Sequence, residues 1–84
     1  METQNTEKVQ VEKKFTDISL VAYLVSQNFK MLKIKRERDK SIFYFSSTAA
    51  LEEETLKYFN HEAKVDPLKF SETLRNLRSY AKQG

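Results

Sequence analysis

The 84-residue chain has no cysteine, which excludes disulfides and thiolate zinc sites. This fits a reducing compartment, and the cytoplasm is the expected location. Its single glycine is Gly84, so P-loops, dinucleotide fingerprints and the GXXG clamp of KH domains have no residues to be built from. His61 is the only histidine. One histidine and no cysteine leave too few ligands for a transition-metal site. A general base also needs a partner and a pocket, and at a polar helix end His61 reads as an exposed terminal residue. Glu52, Glu53 and Glu54 are consecutive, so on a helix they fan apart and cannot converge on one cation. No apolar run approaches the ~18 residues of a membrane span, and no signal-peptide core is expected. The chain therefore reads as non-enzymatic, with no catalytic residues, no metal, no cofactor and no membrane partner.

Size narrows the function further. Residues 1–14 carry only Val9 and Val11 as strongly apolar residues after Met1, and they read as a disordered tail. Residues 15–82 read as one domain. So short a domain cannot easily enclose a deep pocket, which argues against a small-molecule ligand. Six Phe and four Tyr compensate in part, because each ring removes a large apolar area from water.

Patterning gives an α+β class. A first helix is expected from Thr16 as N-cap, with Phe15 and Leu20 as a hydrophobic staple and Asn28 as its end. Its apolar stripe is nearly all-round, so it should be central. An antiparallel hairpin follows from Phe29 to Ser46. The turn, Arg36 to Lys40, has no glycine, which favours a longer loop over a two-residue turn. A second helix is capped near Ser46 to Thr48 and ends at Asn60-His61. Residues 63–65 are extended and a candidate third strand. The last helix starts at Asp66-Pro67, with Val65 stapled to Phe70. The expected inward set is Leu20, Val21, Leu24, Leu32, Ile34, Phe43, Phe45, Leu51, Phe59, Phe70, Leu74 and Leu77, with Ile42 and Tyr44 facing out.

This order of elements, with FTDISLVAYL, IFYF and YFN…KVDPLKF…LRNLRSY, resembles a family of short uncharacterised proteins of bacteria, phages and other mobile elements. The resemblance runs from about Phe15 to Tyr80. It departs from the pattern at His61, where a glycine is expected, and it implies no particular activity.

Charge carries what functional signal there is. The net charge is only +3, but six of the twelve residues from Phe29 to Lys40 are basic against two acids. The stretch 47–66 is acidic, and the last helix is basic again. A nucleic-acid contact, DNA or RNA, would use Lys33, Lys35, Arg36, Arg38, Lys40 and Tyr44, with Arg75 and Arg78 as a second group. The competing reading is an ordinary solvated sheet face whose lysines discourage edge pairing. A third is a protein-interaction module, such as a phage-encoded inhibitor or adaptor of a host protein, docking through the acidic helix or the hairpin.

Overall fold

Backbone groups left open at each helix start are met by neighbouring side chains, and these caps divide the chain. In the computed structural model, which describes residues 11–83, the carboxylate of Asp17 accepts from the amides of Ser19 and Leu20. That opens α1 (Ile18–Ser26), one residue later than a Thr16 cap would. A full negative charge at the positive end of the helix outcompetes the neutral hydroxyl beside it. The Thr48 hydroxyl accepts from Leu51 N–H and opens α2 (Ala49–Phe59). Asp66 accepts from Leu68 N–H ahead of α3 (Pro67–Gln83).

Helices α1 and α2 end alike. The amides of Asn28 and Phe29 turn back to the carbonyls of Val25 and Leu24. Those of His61 and Glu62 turn back to Tyr58 and Lys57. This paired pattern requires a left-handed residue just past the cap; Asn28 (φ 74°) and His61 (φ 61°) supply it.

Strands β2 (Met31–Glu37) and β3 (Lys40–Ser46) form the expected hairpin. Their turn is shorter than expected: Glu37 pairs with Lys40 across a two-residue turn, and Arg38 takes the positive φ of 58° that glycine would usually hold. The third strand is not at residues 63–65, which are irregular. It is β1 (Glu12–Phe15), antiparallel to β3, giving the order β1-β3-β2. Residues 12–14, expected in the tail, are thus part of the sheet; the first ten residues lie outside those described.

Phe43 and Phe45 point into the core at 1 % exposure, as the alternation required. They pack with Leu20, Val21, Ala22, Tyr23 and Leu24 of α1, Leu51 of α2 and Leu77 of α3, flanked by Phe15, Ile34, Phe70 and Leu74. Helix α1 is central, as its all-round stripe demands. Two members of the expected inward set lie outside: Leu32 at 46 % exposure and Phe59 at 58 %. Leu32 is the extra residue of a bulge between Met31 and Lys33, so Met31 takes its place against the core. Phe59 lies at the last turn of α2, where its ring meets Tyr58 edge-on instead of the core.

Candidate nucleic-acid interface

The pairing of β3 with both neighbours decides which side chains share its outer face. Tyr44 lies opposite Lys14 on one side and Lys33 on the other. Both ammonium groups lie over its ring, Lys33 at 4.8 Å and Lys14 at 5.8 Å from the centroid. Such placement is attractive because the ring face carries negative quadrupole charge. The same row continues through Lys35 opposite Ile42 and Lys40 opposite Glu37. All four lysines are exposed, so no described element covers this face. Glu12 reduces the charge locally, with its carboxylate 3.9 Å from Lys33.

Tyr44 does not present its ring to solvent. It is 6 % exposed, shielded from both sides by the flanking lysine side chains, whose aliphatic stems can cover apolar surface while their heads stay wet. Tyr44 is on the outer face, as the alternation requires, but its ring is covered: the exposed feature is the lysine pair, and the ring lies beneath it.

The remaining candidates separate. Arg38 is exposed at the hairpin turn. Arg36 alternates to the other side of β2 and donates to the Ala81 carbonyl in α3, 2.7 Å away. It shares an open cleft of ≈ 530 Å³ with Arg78 and Lys82. Arg75 is exposed on α3 and does not line that cleft. The structure thus brings Lys33, Lys35, Lys40 and Tyr44 together on the sheet and Arg36 with Arg78 beside α3. Sequence reasoning missed Lys14 and left Lys82 out of the contact set. Lys14 was recoverable from the alternation of Lys13 and Phe15 against Glu12 and Lys14, had the strand been read there.

The acidic helix offers no converging carboxylates. Glu52 lies 3.7 Å from Lys13, and Glu53 is exposed. Glu54 accepts from the Tyr23 hydroxyl at 2.5 Å, with Lys57 at 3.4 Å. Burial, reinforced by that carboxylate, pushes Tyr23 up to about 12. The Tyr23 hydrogen bond and then Lys57 hold Glu54 below its usual value, against partial desolvation. Burial, with the charge of Asp17, also raises Tyr58. His61 is exposed beside Tyr58, Phe59 and Ala63. Among the described residues no group of three His, Asp or Glu is placed to hold a metal, and no helix is long and apolar enough to cross a membrane.

These features define a small α+β domain, three helices on a three-stranded antiparallel sheet, with a basic sheet face. Residues 10–82 match a family model described as Domain of unknown function (DUF5659), and the chain belongs to that family. The matched span takes in β1 together with every later strand. Comparison with curated proteins and with solved structures found no match.

Proposed function

We propose that this domain is a non-enzymatic binding module that takes nucleic acid on the outer face of its sheet. One observation carries the reading. Lys14 and Lys33 are held over Tyr44 on an uncovered face that continues into Lys35 and Lys40. Lysines so spaced meet successive phosphates rather than base edges, so recognition is weakly selective for sequence. Arg38 at the turn extends the same positive surface. Tyr44 contributes by steering the two ammonium groups. The resemblance to small proteins of phages and other mobile elements fits an accessory role on nucleic acid in a cytoplasmic setting.

Fluorescence anisotropy with short single- and double-stranded DNA and RNA, across a salt series, tests this. Changing Lys33, Lys35 and Arg38 together to Gln should weaken binding and flatten the plot of log affinity against log salt, by ~2–3 units of slope on duplex. Tyr44→Leu should weaken single- and double-stranded binding alike, because it acts through the lysines. A loss confined to single strands would instead mean a stacked base. Absence of binding at low salt would refute the reading.

A second reading has its own observation. On α2, Leu56 is 61 % exposed and lies one turn from Phe59, with exposed Glu52 and Glu53 alongside. An apolar pair edged by acids fits a basic groove on a protein partner. Leu56→Glu with Phe59→Glu would abolish such an interaction and leave nucleic-acid binding intact.

A further inference from the structure

The cleft between the hairpin and the end of α3 is a second basic feature, on the opposite side of the sheet from Lys33 and Lys35. Arg36 enters it from β2, Ser41 from the paired position on β3, and Asp39 from the turn. Arg78, Ser79 and Lys82 come from the last turns of α3. Among the described residues lining it, three cations therefore face a single carboxylate. Among the described residues, the side chains of Arg78 and Lys82 make no hydrogen bond or ion pair.

Cations near a helix C-terminus are expected from the dipole alone. The dipole does not require them to line a concave space together with two serine hydroxyls. The negative end of the helix is also partly offset here, because Arg36 engages the Ala81 carbonyl and the two basic residues of the last turns lie beside it. That bond uses one guanidinium N–H and leaves its other donors without a protein partner among the described residues. A planar fork, a second guanidinium, an ammonium and hydroxyl donors together suit a tetrahedral oxyanion better than a planar carboxylate. A phosphate monoester, with a charge of about −1.5 to −2 at neutral pH, also matches the cationic excess.

We propose that this cleft is a phosphate-monoester site, held by Arg36, Arg78 and Lys82. The phosphate comes either from the end of a nucleic-acid strand or from a small phosphate ester. The site goes beyond the sheet-face reading and stands or falls separately from it.

The test uses the full chain, with circular dichroism confirming that each variant is folded. Inorganic phosphate and adenosine monophosphate are titrated while the backbone amide signals of Ser41 and Ser79 are followed by NMR. In parallel, anisotropy compares strands of one sequence ending in 5′-phosphate, 3′-phosphate or hydroxyl. The expected result is saturable shifts at Ser41 and Ser79 that weaken about tenfold or more in Arg78→Gln and Lys82→Gln. A preference for one phosphorylated end that disappears in those variants identifies a strand terminus as the source. Shifts with adenosine monophosphate and no end preference identify a small ester. If Lys33→Gln with Lys35→Gln abolishes strand binding but leaves the phosphate shifts, the two sites are independent. No shift at Ser41 or Ser79 with either probe, together with equal binding of all three strand ends, would overturn the proposal.

Discussion

The hydrogen bond from Tyr23 to Glu54 ties α1 to α2 and sets a pH dependence through two residues. Tyr23 is 2 % exposed. Glu54 has a lowered folded-state pKa, so its contribution is present above the usual 4.5 and is lost as pH falls through the lower folded value. Tyr23 has the opposite sign: its contribution is complete below 10 and is lost as pH rises toward about 12. Tyr23→Phe should therefore cost ~1 kcal/mol at neutral pH and flatten both limbs of a stability-against-pH profile from urea unfolding. A smaller alkaline limb should remain, because Tyr58 is also raised. Glu54→Gln should flatten the acid limb. The sequence contained all three glutamates but no means of choosing among them. Only the docking of α2 on α1 decides which carboxylate meets the tyrosine, and the same docking buries Tyr23, which the apolar stripe alone did not include.

Among the elements, legibility followed how local the controlling chemistry is. The start of α3 was readable because Asp66 and Pro67 act on their own backbone. The ends of α1 and α2 were readable for the same reason. The inward direction of Phe43 and Phe45 followed from strict alternation. The bulge at Leu32 was not readable, since Met31 and Leu32 are both apolar and nothing local says which yields. The two-residue hairpin turn was missed because Arg38 accepts a left-handed conformation that usually falls to glycine or asparagine. His61 bears a similar cost at the end of α2. The left-handed region crowds Cβ against the backbone by roughly 1–2 kcal/mol, partly offset by the greater freedom a glycine loses on folding. His61→Gly should therefore raise stability by ~0.5–1 kcal/mol in chemical denaturation. A decrease would mean that the imidazole makes a compensating contact.

At the scale of the whole molecule, the largest departure from expectation is β1. EKKF is short and charged, and its one inward apolar residue, Phe15, fits a helix staple equally well by sequence. Its worth is tertiary: the ring meets Phe45 edge-on at 5.7 Å, and the strand covers one side of β3. Deleting residues 1–15 should cost ~3 kcal/mol or more, lowering the melting temperature by over ~10 °C in a domain of this size. The newly bared edge of β3 should also promote association at high concentration. Melting by circular dichroism, with light scattering alongside, checks both. A change of a few degrees without association would show that two strands and three helices suffice. The candidate surface was half legible: its lysines on β2 and β3 stood out as a charge cluster, but Lys14 belongs to the strand that went unread. The burial of Tyr44 depends on neighbours from both flanking strands at once.

The strand order has a temporal consequence. During synthesis β1 leaves the ribosome first, yet its partner does not exist until some thirty residues later, since Lys14 pairs with Tyr44. The β2–β3 hairpin relies on closer contacts and can organise earlier, whereas the β1 pairing must close the longest loop in the sheet. The first strand of the sheet to be made is thus the last to be paired. Every newly made copy passes through an interval in which the central strand has one bare side, and a chain that is interrupted or slow at that moment offers that side to its neighbours.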